Sequence, residues 1–271
     1  MFSVVMSIYR GDDPRHFIDA VQSVLNQSLP PAEVIIVVDG QVSPMIQAAL
    51  DSLCVYPVIR IIQLESNVGL GGARHIAIQQ ATKDIIAVMD SDDICADGRF
   101  QRQISMLKNN NLDVVGGFIE EFDLTPRDNP RTRLVAVSHD ALVKRARWKN
   151  PMNHVTIMFR KSAYIAAGGY KAIRYVEDYE LFYRMIINGA RFENIPENLV
   201  YVRCGKEVLS RRVGFSYFRS ELLLFNIMRR DKFISNPQWM LNVCIRVFAR
   251  TMPRFLLGYV YKVFLRTKNR N

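Results

Sequence analysis

Three aspartates follow an apolar run in the sequence Asp90-Ser91-Asp92-Asp93. A buried strand over residues 85–89 would deliver these acids to solvent at its carboxyl end. Asp90 and Asp92 would then share one face, because strand side chains alternate. Two convergent carboxylates repel each other unless a cation lies between them, and hard divalent ions prefer oxygen ligands. The motif predicts a metal site, although aspartates that simply form a polar turn give the same pattern.

A second acidic motif, Glu177-Asp178, opens an amphipathic pattern that predicts a helix over residues 177–188. Acids are favoured at the start of a helix, where they cap free N–H groups and interact with the helix dipole. A structural role is therefore enough to explain this motif by itself. A functional role requires that Asp178 point into the same crevice as Asp92.

A glycine-rich segment, Asn67-Val68-Gly69-Leu70-Gly71-Gly72-Ala73-Arg74, enters another predicted helix. It departs from a dinucleotide-binding fingerprint, because Arg74 stands where the third glycine is required and the segment does not follow the first strand. Two interpretations stay open. The loop could contact a phosphate or nucleotide, with Arg74 supplying a positive charge, or its glycines could serve a turn that needs positive φ.

The histidines and cysteines offer no further site by their spacing. No metal-ligand pair and no serine nucleophile motif is present, so acyl-transfer chemistry has no support. Four cysteines without redox spacing predict reduced thiols in a cytosolic protein. The residues concerned are His16, His75, His139, His154, Cys54, Cys95, Cys204 and Cys244.

The sequence around the candidate residues alternates between short apolar runs and amphipathic stretches. These segments are the predicted strands and helices that must position the candidate residues. The runs at 2–8, 34–38, 58–64 and 85–89 predict strands separated by helices. Strands that are apolar throughout indicate an α/β fold with a mostly parallel sheet covered on both faces. Ligands bind outside the carboxyl ends of such strands, where Tyr9, Asp39 and Asp90 stand.

Charge divides the chain into two parts. It has 271 residues, of which 49% are hydrophobic and 23% charged, which excludes a wholly disordered or fibrous protein. The net charge is +10, but residues 206–271 carry fourteen Lys and Arg against three acids, whereas residues 1–205 are close to neutral. We predict a folded domain over 1–205 and a basic helical extension over 206–271. No signal peptide and no span of roughly 18 uncharged residues is visible.

Taken together, the motifs resemble a family 2 glycosyltransferase with the GT-A fold. Their order and spacing agree over residues 2 to about 205, and the ordered set is more specific than any one motif. The basic extension resembles bacterial exopolysaccharide and O-antigen transferases of the amylovoran-biosynthesis type. The matching segments include Val4 to Tyr9, Ala20 to Gln27, Val34 to Gly40, Asn67 to Arg74, Asp90 to Asp92, Gly168-Gly169-Tyr170 and Glu177 to Leu181.

The resemblance implies a nucleotide-sugar donor, with a UDP-sugar favoured, and a role for each donor-binding residue. Tyr9 and Asp39 would contact the base, and Arg74 would help to hold the nucleotide. Asp90 and Asp92 would meet the ribose and a divalent metal, Mg²⁺ or Mn²⁺, on the diphosphate.

The resemblance also implies an inverting mechanism. Asp178 resembles the catalytic base that deprotonates the acceptor hydroxyl, since an attacking hydroxyl needs a base within hydrogen-bond reach. One base and a direct displacement invert the anomeric centre. The implied acceptor is a growing surface polysaccharide on a polyprenyl carrier.

Two other classes of protein share part of this sequence pattern with the family 2 glycosyltransferases. A phosphatase of the haloacid-dehalogenase type also places Asp-x-Asp after a buried strand, but it needs the motif near the N-terminus and a threonine where Ile94 stands. A nucleic-acid-binding protein could use the basic extension, but the near-neutral main part argues against it and no nucleic-acid partner is expected.

The extension itself predicts a contact with an anionic membrane. Arg246, Arg250 and Arg254 recur every fourth residue beside apolar side chains, a pattern typical of an interfacial helix. A helix packed on the domain with solvated arginines is the alternative. The expected location is cytoplasmic and peripheral on the inner face of the plasma membrane.

Overall fold

The computed structural model describes residues 1–204, apart from 124, 127 and 129, and residues 215–251. The chain divides into two compact units, residues 1–206 and 207–271. The functional assignment of the two parts stays a prediction.

Four parallel strands form one half of the sheet in the first unit, in the order β3-β2-β1-β4. Their side chains are buried almost without exception in β1, β2 and β4, as expected for strands covered on both faces. The strands are β1 (Ser3–Ile8), β2 (Glu33–Val38), β3 (Ile59–Gln63) and β4 (Ile85–Val88), and the helices between them are α1 (Pro14–Leu25), α2 (Pro44–Leu53) and α3 (Leu70–Gln80).

The other half of the sheet is mixed and follows the order β4-β8-β6-β9-β5, with β7 paired to β6. Strand β8 runs antiparallel to both β4 and β6, whereas β6 and β9 are parallel. The strands are β5 (Ile94–Cys95), β6 (Val114–Phe122), β7 (Arg131–Arg133), β8 (Met158–Arg160) and β9 (Phe192–Arg203), and the helices are α4 (Arg99–Asn109), α5 (His139–Ala146), α6 (Lys161–Ala166) and α7 (Glu177–Ile187).

Two hydrophobic clusters cover the two faces of the sheet. Val4 and Met6 of β1 belong to the cluster that includes α1 and α2, and Val5 belongs to the cluster that includes α3 and α7. The side chains divide in this way because successive residues of a strand point to opposite faces. The predicted α/β fold is confirmed, and the sheet is parallel throughout only in the half β3-β2-β1-β4.

The turn after β2 depends on a glycine. Gly40 has a φ of +86°, and a Cβ atom there would lie 2.9 Å from the backbone nitrogen of Asn67. Any larger residue would be strained in this conformation and would collide with backbone. The close approach brings the glycine-rich segment next to Asp39.

The local structure differs from the sequence pattern in two places. Residues 152–159 have a pattern typical of one strand, but they form a 3₁₀ turn (His154–Thr156) followed by the start of β8. The strand before the aspartates ends at Val88, so Asp90 and Asp92 lie in a loop and strand alternation does not orient them. The helix α5 and the long strand β9 were not predicted.

The described part of the second unit consists of two helices, α8 (Phe215–Arg230) and α9 (Asn236–Thr251). Their contacts include a 2.9 Å hydrogen bond from Trp239 Nε1 to Asn226 Oδ1. Arg246 donates from Nε to Glu221 Oε1 at 3.2 Å, and its guanidinium lies 4.2 Å from the centroid of the Phe225 ring.

Arg246 was predicted on the basic face of an interfacial helix, but its side chain is taken up by contacts inside this unit. Arg254 and the residues beyond it lie outside the described part of the chain. Several large apolar side chains of α9 are exposed: Met240, Leu241, Ile245, Val247 and Phe248. No helix in the described ranges is long and apolar enough to cross a bilayer.

Candidate active site

The loop after β4 carries the aspartates and is joined to the loop after the neighbouring strand β1. The Ser91 hydroxyl donates to Asp12 Oδ2 at 3.0 Å, and the backbone N–H of Tyr9 donates to the same oxygen at 3.0 Å. Because β1 and β4 are adjacent parallel strands, both loops leave the sheet at the same edge. The structure thus places Tyr9 beside the acidic loop, with 41% of its side chain exposed.

The carboxylates in this loop crowd one another. Desolvation, followed by the nearby charges of Asp90 and Asp12, raises the pKa of Asp92 to about 6, although the residue itself is exposed. Asp93 is buried, and burial together with Asp90 and Asp92 raises its pKa well above the usual range. Excess negative charge held near the surface is the environment in which a bound cation is favourable.

The residues fit a divalent ion that a substrate helps to hold, but not one held by the protein alone. Within the described residues, no group of three or more His, Cys, Asp or Glu side chains is arranged to hold a metal ion. Mg²⁺ is commonly bound through one or two carboxylates plus substrate phosphates. Asp92 and Asp90 are the two carboxylates that the protein could supply to such an ion.

Arg74 lies between the acidic loop and the start of α7. Its side chain is 4% exposed and forms an ion pair with Asp90. Burial would lower the pKa of Arg74, but Asp90, Tyr170 and Glu177 raise it, and the net shift is upward. The arginine therefore stays cationic and connects elements that are distant in sequence.

Asp39 organises the glycine-rich segment. Its carboxylate accepts hydrogen bonds from the backbone N–H groups of Val68 and Gly69, at 2.7 and 3.0 Å, and from Asn67 Nδ2 at 2.9 Å. Two of the N–H groups that could cradle a phosphate are therefore already used, and Gly69 has a φ of +81°. This geometry favours the turn interpretation for Asn67 to Gly69, while the base contact of Asp39 stays a prediction.

Asp178 lies in the first turn of α7, and Val176 rather than Asp178 is the N-cap residue. Its Oδ1 accepts from the backbone N–H of Tyr179 at 2.7 Å, and its Oδ2 accepts from Asn150 Nδ2 at 2.7 Å. Glu177 faces Arg74, and burial followed by the charge of Asp178 raises the pKa of Glu177. The carboxylate of Asp178 is held in place from two sides.

The histidines near this region belong to the core. His154 is hydrogen-bonded through Nε2 to the Tyr170 hydroxyl at 2.6 Å, and His75 Nδ1 lies 2.7 Å from the Tyr164 hydroxyl. Burial, with a further effect of Arg74, lowers the pKa of His154 well below its usual value. His154 is therefore neutral and packs beneath the site.

Sequence patterns did not identify several residues that shape the site. Arg99 is fully buried and donates to the carbonyl groups of Val88 and Val155, at 2.9 and 3.1 Å, beneath the acidic loop. Arg203 donates from its backbone N–H to Asp93 Oδ1 at 3.0 Å. Asn150 was also missed, since 28 residues separate it from Asp178 and no motif links the two.

The structure thus gathers most of the predicted residues around one edge of the sheet. Arg74 bridges Asp90 and the region of Glu177-Asp178, and Tyr9 and Asp92 lie in the two joined loops. Such a site combines a crowded acidic loop, a buried positive charge and an oriented carboxylate. These groups suit a reaction in which a hydroxyl group attacks the transferred unit and displaces an anionic leaving group.

Comparison with known sequences identifies relatives over nearly the whole chain. The profile described as "Glycosyl transferase family 2" matches residues 3–169. The UDP-Gal:alpha-D-GlcNAc-diphosphoundecaprenol beta-1,3-galactosyltransferase of Escherichia coli is 34% identical, over 98% of this chain and 96% of the relative. The amylovoran biosynthesis glycosyltransferase AmsE of Erwinia amylovora is 33% identical, over 97% of this chain and 98% of the relative.

Solved structures agree at the level of the fold. The fragment 1-349 of S. aureus TarS, in complex with UDP-GlcNAc, superposes with a TM-score of 0.70 at 16% identity, covering 98% of this chain and 76% of the fragment. The mannosyltransferase PcManGT of Pyrobaculum calidifontis, in complex with GDP-Man and Mn²⁺, superposes with a TM-score of 0.66 at 15% identity, covering 98% and 81%.

Proposed function

The chain belongs to glycosyltransferase family 2, and we propose that it transfers a sugar from a UDP-sugar to a hydroxyl of a polyprenyl-linked surface polysaccharide, with inversion. One relative is named for amylovoran biosynthesis, and another is named for a UDP-sugar donor and a diphosphoundecaprenol acceptor. The finer points are proposals for this chain: the donor, the acceptor, the stereochemical outcome and the metal.

One observation carries the proposal. Arg74 forms an ion pair with Asp90 of the acidic loop and also interacts with Glu177, the neighbour of Asp178. One buried cation therefore interacts both with a proposed donor-binding acid and with the neighbour of the proposed base. This supports a functional role for the Glu177-Asp178 motif, which requires Asp178 and Asp92 to face the same crevice.

The donor lies, in this proposal, across the carboxyl ends of β1, β2 and β4. Tyr9 and Asp39 contact the base, and Arg74 and Asp90 hold the nucleotide. Asp39 can serve both the loop and the base, because a carboxylate offers about four acceptor positions and three are used by Asn67, Val68 and Gly69.

The transfer itself uses Asp178. Its carboxylate accepts the proton of the acceptor hydroxyl while the hydroxyl oxygen forms a bond to the anomeric carbon of the donor sugar. The bond between that carbon and the diphosphate oxygen breaks, and the nucleoside diphosphate leaves from the opposite face. A single displacement of this kind inverts the anomeric centre.

Asp92 and Asp90 would hold a divalent ion, Mg²⁺ or Mn²⁺, against the diphosphate. When bound, the ion would offset the negative charge that develops on the leaving group. The crowding that raises the pKa of Asp92 supports this role, because a cation relieves the repulsion between the carboxylates.

We further propose that residues 206–271 attach the enzyme to an anionic membrane, on the inner face of the plasma membrane where a polyprenyl-linked acceptor would lie. The exposed apolar side chains of α9 and the surplus of basic residues support this. Each basic residue near an anionic surface contributes about 1 kcal/mol.

A thermal-shift screen of nucleotide sugars, with and without Mn²⁺, tests the proposed function. A donor that binds the folded state stabilises it in proportion to RT ln(1 + [L]/Kd), so one UDP-sugar should raise Tm more than the others. The same sugar should then be transferred to a polyprenyl-diphosphate glycan, with inversion visible by NMR. Failure of every nucleotide sugar to bind or to be transferred would refute the proposal.

A further inference from the structure

Three basic residues lie together near Asp178: Arg133 at the end of β7, Arg145 in the last turn of α5 and Lys149 just after it. We refer to these three as the basic cluster. Burial and the charge of Arg133 lower the pKa of Arg145, and burial and the charge of Arg145 lower the pKa of Lys149. The three charges are therefore close enough to repel one another.

Within the described residues, no carboxylate neutralises Arg145 or Lys149 of the basic cluster. Over the described ranges, neither Arg145 nor Lys149 forms an ion pair. Arg145 instead donates from Nε to the backbone carbonyl of Asn150 at 3.2 Å, and Arg133 donates from Nε to Asn153 Oδ1 at 2.7 Å. Hydrogen bonds to neutral oxygens orient these guanidinium groups, and the hydrogen bond of Arg145 leaves the charge of that residue uncompensated.

Asn150 joins the cluster to the proposed base. Its carbonyl oxygen accepts from Arg145, and its side-chain nitrogen donates to Asp178 Oδ2 at 2.7 Å. Arg145 and Asp178 therefore contact the same residue, one through its backbone carbonyl and the other through its side chain.

The donor diphosphate already has its own partners. In the proposed function it lies against the acidic loop and Arg74, whose charge is largely taken up by Asp90. The basic cluster is linked instead to Asp178, through the contacts of Asn150 with Arg145 and with the Asp178 carboxylate. Arginine and lysine both bind phosphate oxygens well, and the guanidinium group does so in a bidentate manner.

We propose that Arg145, Lys149 and Arg133 bind a diphosphate group carried by the acceptor. This inference rests on the proposed function, because it takes Asp178 as the base that faces the acceptor. A sugar whose anomeric diphosphate is held by the cluster would present a ring hydroxyl to Asp178. The cluster would thereby select acceptors that carry a diphosphate over neutral glycosides.

Calorimetric titration of decyl diphosphate into the full chain, in the presence of a chelator, tests the site without any chemistry. Removing divalent ions disables metal-dependent binding at the acidic loop. Arg145→Gln and Lys149→Gln should each weaken binding by about tenfold or more, as expected for loss of a charge-assisted contact. Arg145→Lys should retain most of the affinity, and Lys144→Gln, an exposed change on α5, should leave it unchanged.

A second titration separates the two possible sources of a diphosphate. With Mg²⁺ and saturating UDP, decyl diphosphate should still bind, because the donor occupies a different place. Displacement by UDP, or equal affinity in wild type, Arg145→Gln and Lys149→Gln, would overturn the inference. A chain that binds decyl diphosphate through the cluster but transfers no sugar would contradict the proposed function and leave the anion site standing.

Discussion

The side-chain nitrogen of Asn150 lies 2.7 Å from Oδ2 of Asp178, and the backbone N–H of Tyr179 lies 2.7 Å from the other oxygen. The carboxylate is therefore held by one contact from its own helix and one from a loop 28 residues earlier in the chain. A base with both oxygens oriented has a fixed direction in which it can accept a proton. The first two predictions follow from this arrangement.

Asp178→Asn should abolish the base while keeping the size of the side chain. We expect the variant to fold and to bind donor like wild type, because Asp178 is placed on the acceptor side. Sugar transfer should fall by about two orders of magnitude or more, the usual contribution of a positioned base. Initial rates at saturating donor, with circular dichroism as the folding control, measure this. Near wild-type transfer by a folded variant would remove Asp178 from the mechanism.

Asn150→Ala should impair the orientation of the Asp178 carboxylate but leave Asp178 itself, the proposed base, in place. A hydrogen bond to a charged group contributes about 1.5–3 kcal/mol, so kcat should fall by about tenfold or more. Donor affinity measured at equilibrium should not change. Asn109→Ala, an exposed asparagine at the end of α4, is the matched control. An unchanged kcat in Asn150→Ala would show that the contact does not orient the base.

The elements that position Asp90 could be predicted from sequence, because β1, β2 and β4 are buried on both faces and appear as continuous apolar runs. Strand β9 could not. It contains Pro196 and several polar residues, and its pairing with β6 shifts register near Gly117 and Phe118. A strand with an irregular register shows no clean alternation, so its pattern resembles that of a loop.

The site shows a similar limit. The sequence pattern identified Asp90, Asp92 and Asp178 as candidate site residues. Acids at the end of a predicted strand or the start of a predicted helix can be recognised from the neighbouring residues alone. Asn150 and Arg145 were not identified, because their roles arise from contacts with distant residues. The two carboxylate interactions of Asp39 with backbone N–H groups were hidden for the same reason.

The pairing of Asp90 with Asp92 leads to a prediction about the metal. Mg²⁺ or Mn²⁺ together with UDP should raise the Tm of wild type, since a ligand that binds the folded state stabilises it. Asp92→Ala should remove this effect of the metal, whereas Asp97→Ala, which changes an exposed acid between β5 and α4, should keep it. Thermal shifts with metal and with chelator make the comparison. Equal shifts in wild type and Asp92→Ala would exclude Asp92 as a ligand.

The raised pKa of Asp92 predicts how stability depends on pH in the absence of metal. Its pKa is about 6 in the folded chain against 3.8 ordinarily, so the folded state binds this proton more tightly than the unfolded state. The Asp92 contribution to stability is then complete below about pH 4 and is lost as the pH rises through about 6.

Urea unfolding in chelator, compared between wild type and Asp92→Asn, isolates this contribution from those of other groups. The free energy of unfolding of wild type should fall relative to the variant between about pH 4 and pH 6. Saturating Mg²⁺ and UDP should abolish this decrease in the free energy of unfolding, because the ionised Asp92 carboxylate then binds the cation. A difference between the two proteins that stays constant across this range would contradict the assignment.

The exposed apolar side chains of α9 predict how the enzyme meets a membrane. Ile245 and Phe248 are 48% and 65% exposed, one helical turn apart, while Arg246 between them pairs with Glu221. Insertion of these apolar side chains, aided by the surplus of basic residues in 206–271, should hold the chain on anionic vesicles.

Co-sedimentation with vesicles tests this, using the double variant Ile245→Ser with Phe248→Ser. Burying one large apolar side chain contributes about 1.5–3 kcal/mol, so the variant should bind at least about tenfold more weakly. Met45→Ser, which alters an apolar residue 69% exposed on α2, should bind like wild type. Binding should also require anionic lipid and weaken as salt rises, because the basic residues act through screened charges. Equal recovery of wild type in the supernatant with and without anionic vesicles, at low salt, would leave α9 with no role at a membrane.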